Sequence, residues 1–224
     1  MVAPMGYLPQ LMYGALITLG VALSAVLFGA AFGLLGAMAK LSASRPLRAV
    51  AEAYTIVVRG TPDLIIILIV FFGGTIALTR LFGRTVEVSE FGAGVASLAF
   101  VFGAYATEIF RGAIRAVPVG QIEAARALSL PAPILFLRIV LPQAWRVALP
   151  AFGNQSIILL KQTSLISVVG LEELMRSASM AAGATREPFK WYLAAACLYL
   201  VMTGLSTILL RLAERRANLG YERR

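Results

Sequence analysis

Ionisable side chains are scarce in this chain, and three of them lie inside apolar stretches where an isolated charge is costly. Asp63 lies in RGTPDLIIILIV, Glu108 in YATEIF, and Lys161 at the end of SIILLK. Placing a charged side chain in hydrocarbon costs about 2.5–3.5 kcal/mol on insertion scales. Such residues have to face a cavity, a partner subunit or an opposite charge, so they are the first candidates for binding a charged ligand.

Asp63 is the strongest of these candidates. It lies about ten residues into the apolar run that begins at Tyr54, a depth of roughly 15 Å at 1.5 Å per residue. An acid at that depth would suit a positively charged ligand. The alternative is a local pair with Arg59, one helical turn earlier, although Pro62 disturbs the helical geometry between them. The residues leave both readings open.

Lys161 ends the fourth apolar run and is followed by two hydroxyl side chains. Its ammonium group either snorkels or pairs across helices, or it contacts a ligand carboxylate. Thr163 and Ser164 would assist such a contact through their hydroxyl groups. Glu108 and Arg111 are three residues apart, and we expect them to form a structural ion pair.

Glu172 and Glu173 lie shortly after Gly170, at the end of the segment LLKQTSLISVVGLEEL. With Glu173, Glu172 either complements the dipole of a helix that begins near Leu171, or it lines the outer mouth of a site for a cationic group.

The elements that position these residues are predicted by composition. The chain has 224 residues, of which 59% are hydrophobic and 14% charged, with a mean hydropathy of +0.84. About 20 apolar residues span a bilayer as a helix, and several runs of that length are present. The sequence therefore predicts one all-α, polytopic membrane domain over residues 1–224. Its five spans are Leu11–Ala39, Tyr54–Leu78, Phe91–Phe110, Ala144–Leu160 with a continuation to Gly170, and Trp191–Leu212.

The distribution of charge predicts the orientation of these spans. Most of the 20 Lys and Arg residues follow the first, third and fifth spans, which makes those segments cytoplasmic by the positive-inside rule. The N-terminus is then outside and the C-terminus cytoplasmic. Because the charges segregate by loop, the net charge of +9 indicates the bilayer rather than nucleic acid as the partner.

Several chemistries are excluded by residue content. The chain has no histidine and a single cysteine, so a zinc or haem site and an internal disulfide are not expected. It has no G-x-x-x-x-G-K-[ST] sequence for ATP binding and no nucleophile–base arrangement. We expect neither a cofactor nor an enzymatic activity.

One cytoplasmic segment, residues 118–131, is too polar to cross the bilayer. Pro118 can begin a short helix, and Pro131 and Pro133 cannot continue it. On amphipathicity alone, this helix could lie on lipid headgroups. Its spacing, however, resembles the E-A-A-x3-G-x9-I-x-L-P signature of the membrane subunits of bacterial ABC importers. The matching positions are Glu123, Ala124, Ala125, Ile139, Leu141 and Pro142, with Ser129 at the glycine position.

The resemblance covers most of the chain. VVRGTPDL, AYATEIFRGAIRAVPVGQIEAARAL and LLKQTSLISVVGLEEL are similar to the polar amino acid permease group. They most resemble its Q-type subunits for histidine, lysine, arginine, ornithine and opines. This resemblance implies a multi-pass protein of the bacterial inner membrane. It also implies that residues 118–131 are a coupling helix seated on a cytoplasmic ATPase, of which two copies serve the importer. The remaining implied partners are an identical or homologous permease and a periplasmic amino-acid-binding protein.

Ser129 is the one departure from the signature. A glycine there would adopt a left-handed backbone freely, whereas serine would do so at a cost of roughly 1 kcal/mol or end the helix differently. The rival to the importer is an ion-coupled secondary carrier that uses Asp63 and Glu108 as relays.

Overall fold

A computed structural model describes residues 6–83 and 89–218. No strand occurs in that part of the chain. Eight helical segments follow one another, and some contain short π-helical or 3₁₀ turns. They are α1 (Tyr7–Leu41), α2 (Arg45–Gly60), α3 (Asp63–Phe82), α4 (Glu90–Arg115), α5 (Val119–Ala127), α6 (Ala132–Val169), α7 (Leu174–Thr185) and α8 (Pro188–Asn218).

The helices long and apolar enough to cross a membrane in this part of the chain are α1, α3, α4, α6 and α8. An all-α protein with five spans is therefore confirmed. Four of the five predicted spans overlap these helices and differ from them only in length. The orientation of the termini stays a prediction.

The second span differs from its prediction in a way that matters for Asp63. A continuous helix from Tyr54 is wrong, because α2 ends at Gly60 and Thr61 and Pro62 are extended. Proline lacks the helical N–H and disfavours helical geometry in the residue before it. Asp63 is consequently the first residue of α3 and does not lie ten residues inside a helix.

Close contact between α1 and α4 forms the centre of the bundle. Gly33 lies against Ala106, and Gly29 against Phe102, so the two helices run in the same direction at a short separation. The buried residues around this contact are mostly Ala, Val, Leu and Phe. Small residues allow such close approach where helices meet inside a membrane.

Helix α8 packs against both α6 and α7. Gly153 of α6 meets Leu210 of α8, and Trp191 near the start of α8 packs edge-on against Tyr7 of α1 at 5.6 Å between ring centroids. The Trp191 indole N–H also donates to the Thr185 hydroxyl at 2.7 Å. These contacts hold the start and the second half of α8 against the bundle.

The substitution Gly33→Ala tests the α1–α4 contact. The added Cβ would lie 2.4 Å from the Ala106 Cβ, so we expect a loss of about 1–3 kcal/mol in unfolding free energy from overpacking. The control Gly204→Ala lies inside α8 with nothing within 4 Å and should gain about 0.5–1 kcal/mol. Thermal unfolding of the purified variants measures both, and equal effects would contradict the proposed close approach.

Candidate functional site

Asp63 lies in a polar cluster formed by α2, α3, α4 and α6. Its half-buried carboxylate accepts a hydrogen bond from the Gln162 side-chain amide. The Arg59 guanidinium lies over the Tyr105 ring, 5.5 Å from its centroid. The Tyr105 hydroxyl interacts electrostatically with both Arg59 and Asp63. No salt bridge joins Asp63 to Arg59 among the described residues, so Asp63 does not depend on the local pair.

This cluster lies beside the middle of α4 although Asp63 begins its own helix. Tyr105 lies about 15 Å before the end of α4 at 1.5 Å per residue. One turn further along α3, the Ile67 carbonyl approaches the Ser97 hydroxyl of α4. Asp63 therefore faces the middle of α4, which is where an uncompensated charge would be least tolerable.

Sequence reasoning missed Gln162 and Tyr105 as neighbours of Asp63. Gln162 follows Lys161 in LLKQTSL and was a polar residue in an apolar run, a signal that could have been used. Its partner is 99 residues away, so the pairing itself had no local signature.

Lys161 and Ser164 line a cavity of about 420 Å³ between α6, α7 and α8. Met175, Tyr192 and Tyr199 contribute to the same walls. The Lys161 side chain is exposed, and within the described residues it forms no salt bridge. A cation in an otherwise mostly apolar cavity is suited to an anionic group.

Thr163 does not line this cavity. It is fully buried, and its hydroxyl donates to the Leu160 carbonyl at 2.7 Å. The Ser164 hydroxyl donates to the Lys161 carbonyl at 2.8 Å. Asp63 is also absent from the walls, so the structure separates Asp63 from Lys161, although Gln162 links the two through the chain.

The adjacent acids Glu172 and Glu173 have different environments. Glu172 is exposed, whereas Glu173 is completely buried at the N-cap of α7. Its carboxylate accepts from the Thr18 hydroxyl at 3.2 Å, the Tyr199 hydroxyl at 3.0 Å and the Arg176 amide at 2.9 Å. Burial raises the pKa of the Glu173 carboxyl, and these hydrogen bonds oppose that shift. Glu173 thus joins α1, α7 and α8 at one point.

Glu108 is part of a larger ion cluster than the one predicted. The Arg111 guanidinium donates to it, with Nε at 3.0 Å, and the Lys40 ammonium of α1 also contacts it. The Lys40 side chain is only 5% exposed, and Glu52 of α2 lies 4.0 Å from it. The sequence did not reveal Lys40 as a partner, because it is 68 residues from Glu108.

Helix α5 presents one face outward and one face to the bundle. Glu123 and Ala124 are exposed, whereas Ala125 is buried. Ile122 packs on a buried cluster from the end of α4 and the first half of α6. That cluster consists of Ala113, Val117, Val140, Ala144 and Ala148. An exposed face on a firmly anchored helix can dock a soluble protein and transmit its movement.

Ser129 adopts the left-handed backbone that the signature glycine would adopt, with φ 54°. The Ser129 amide donates to the Arg126 carbonyl at 2.8 Å, and the Leu130 amide to the Ala125 carbonyl at 3.2 Å. These two bonds form a Schellman motif, which ends α5 at Ala127. The helix therefore stops before the prolines that were expected to end it.

The second half of the signature begins the long helix α6. Ile139 is half-buried in a π-helical turn, Phe136–Val140, and Leu141 and Pro142 are exposed where the α-helical geometry resumes. The same helix continues through the cluster that holds Ile122 and reaches Gln162. One helix thus connects the α5 contact to the partner of Asp63.

Comparison with known proteins agrees with this architecture. The family described as binding-protein-dependent transport system inner membrane component matches residues 29–219. A match over most of its length shows that the chain belongs to this family.

Two relatives match almost end to end. The octopine transport system permease protein OccQ of Rhizobium radiobacter is 45% identical, covering 98% of this chain and 95% of its own. The histidine/lysine/arginine/ornithine transport system permease protein HisQ of Escherichia coli is 40% identical, covering 97% of both chains. A crystal structure of an amino acid ABC transporter with histidines superposes with a TM-score of 0.83, at 37% identity over 95% of this chain and 96% of that one.

The predicted family and class of function are confirmed by these matches. The chain is the permease subunit of an ABC importer and a multi-pass protein of the inner membrane. It works with ATPase and binding-protein partners, and the ATPase activity belongs to a separate subunit.

The substitution Ser129→Gly tests the left-handed end of α5. Glycine adopts this backbone without the serine penalty, so unfolding free energy should rise by up to about 1 kcal/mol. The control Ser179→Gly lies exposed inside α7, where glycine should instead lower it by about 0.5 kcal/mol. Thermal unfolding compares the two, and a loss at both positions would contradict the φ of Ser129.

Proposed function

We propose that this permease carries cationic amino acids or opines, with Asp63 as the acid that recognises their positive group. The observation that carries the proposal is the placement of Asp63, which faces the middle of α4 with a neutral amide rather than a cation as its hydrogen-bond partner. Gln162 can hold the carboxylate in place and leaves its negative charge uncompensated by an ion pair. A guanidinium or ammonium group would supply the missing charge.

The relatives support this substrate class. Their names concern octopine in one case and histidine, lysine, arginine and ornithine in the other. Lysine and arginine carry a permanent positive charge at neutral pH. Exposed Lys161 and half-buried Ser164 would receive the substrate carboxylate in the separate cavity that they line, and buried Thr163 would fix their segment. Exposed Glu172 would attract cations towards the mouth of the pathway.

The same proposal covers the assembly and the direction of transport. The N-terminus is periplasmic and the C-terminus cytoplasmic, as the basic residues predict. A second permease, identical or homologous, encloses the pathway with this chain, and a periplasmic binding protein delivers the substrate. Two copies of the ATPase bind below, one of them on residues 118–131 of this chain.

Helix α6 provides the mechanical link in this mechanism. ATPase closure would displace the exposed face of α5 at Glu123, and Ile122 would pass that displacement to α6. Because Gln162 is on α6, the shift would reach its hydrogen bond to Asp63. Substrate release is then tied to a movement that begins about 30 Å away along one helix, since α6 rises 1.5 Å per residue.

ATP dependence tests this mechanism against the ion-coupled carrier. Proteoliposomes that contain this chain and its partner subunits should import labelled arginine only with ATP on the ATPase side. Glu123→Lys should remove stimulation of ATP hydrolysis by substrate, while the chain remains in the membrane in normal amount.

The charge reversal Glu187→Lys serves as the control, because Glu187 is exposed at the start of α8, far from α5. Transport in this variant should persist. Import driven by an ion gradient without ATP would establish the secondary carrier, and full coupling in Glu123→Lys would remove α5 from the docking surface.

The substitution Asp63→Asn tests substrate recognition. It keeps the shape and a hydrogen bond to Gln162 but removes the charge, so the apparent affinity for arginine should fall about ten- to hundred-fold, as expected for a bond to a charged group. Uptake of glutamine, measured in the same proteoliposomes, should change much less. An equal loss for both substrates would assign Asp63 a structural role.

A further inference from the structure

A groove of about 630 Å³ runs between α6 and α8 near the C-terminal end of α8. Trp145 and Leu149 form its α6 side. The α8 side is formed by Leu209, Leu212, Ala213 and Arg216. The groove is therefore apolar along its length with a single cation in its lining.

The groove lies to one side of a close contact between the two helices. A Cβ at Gly153 would overlap a methyl carbon of Leu210, so the Leu210 side chain of α8 packs directly on the α6 backbone there. The groove residues of α6 precede Gly153, and most of those of α8 follow Leu210, so the groove opens from the contact towards one end of the bundle.

Basic residues are concentrated at the open end. Arg215 and Arg216 are in the last turn of α8, and Arg211 precedes them by one turn. All three are exposed, and none forms a salt bridge within the described residues. Trp145, which is 46% exposed, lines the groove together with Arg216, and tryptophan is enriched at membrane–water interfaces.

We propose that an anionic phospholipid binds here, with its phosphate at Arg216 and an acyl chain along the groove. The apolar walls match an acyl chain, and the arginine cluster matches a headgroup with net negative charge. Under the orientation proposed above, this is a lipid of the inner leaflet.

Two other apolar grooves provide a comparison. One is between α1, α4 and α6, and the other between α1, α2 and α4; neither has a charged residue in its lining. All three would accept acyl chains, but only the α6–α8 groove offers selection for headgroup charge. The prediction is therefore selective binding and not mere contact with lipid.

Tryptophan fluorescence can measure this selectivity directly. The chain has two tryptophans, and the Trp191→Phe variant leaves Trp145 as its remaining tryptophan. Trp145 lines both the α6–α8 groove and the groove between α1, α4 and α6, so the effects of Arg216→Gln and Ala213→Phe assign the quenching to the α6–α8 groove. The importer complex in phosphatidylcholine nanodiscs is titrated with phosphatidylglycerol or phosphatidylcholine carrying brominated acyl chains, which quench indole on contact. If Trp191→Phe does not fold, the signal of Trp145→Phe is subtracted from that of the unmodified protein.

Half-maximal quenching should need about five-fold less brominated phosphatidylglycerol than phosphatidylcholine, the factor expected for one basic residue at a lipid surface. Arg216→Gln should abolish the difference, and Arg48→Gln, which removes an exposed charge on α2, should leave it unchanged. Ala213→Phe, which fills the groove without altering charge, should weaken quenching by phosphatidylglycerol.

Two results would overturn the proposal. Equal quenching by the two lipids, unaffected by Arg216→Gln, would mean unselective contact with the bilayer. Quenching in the isolated chain that disappears in the importer complex would mean that a partner subunit covers the groove. Because nanodiscs present both lipids on both faces, neither outcome depends on the proposed orientation or substrate.

Discussion

The need to give buried polar groups a hydrogen-bond or ionic partner inside an apolar bundle organises this permease. Three polar clusters do so, and each joins helices that are distant in sequence: Lys40 with Glu108, Gln162 with Asp63, and Glu173 with Thr18 and Tyr199. An unpaired polar group in such an environment costs several kcal/mol. The clusters therefore select one arrangement of helices among the many that apolar packing alone would tolerate.

The clusters differ in how completely they are satisfied. Glu173 and the Lys40–Glu108–Arg111 group have several partners each and serve as fixed points at opposite ends of α1. Asp63 has one neutral hydrogen-bond partner, on a helix that also contacts α5. The role proposed for Asp63 rests on this difference, because a carboxylate with one neutral partner can exchange it at less cost than a fully paired acid.

The apolar character of the outer surface of the bundle is also explained by the lipid bilayer. Helices α3 and α8 expose most of their apolar side chains, which bilayer lipid or a second permease can cover at no hydrophobic cost. Between α6 and α8, on the Trp145 side of Gly153, the groove is the place that we propose for a lipid.

The sequence by itself determined the all-α class, the number of spans and the docking signature, because apolar run length and residue spacing are local properties. It also pointed to Asp63, Lys161 and Glu108 as the charges that need compensation. Only the tertiary structure decided that Pro62 makes Asp63 the start of a helix, that Ser129 is left-handed, and that Glu173 rather than Glu172 is buried. The partners Gln162, Lys40 and Thr18 lie 99, 68 and 155 residues from the acids they contact. The hydrophobic periodicity of the sequence does not reveal such pairs, because they arise from the packing of helices against one another and not from the formation of each helix.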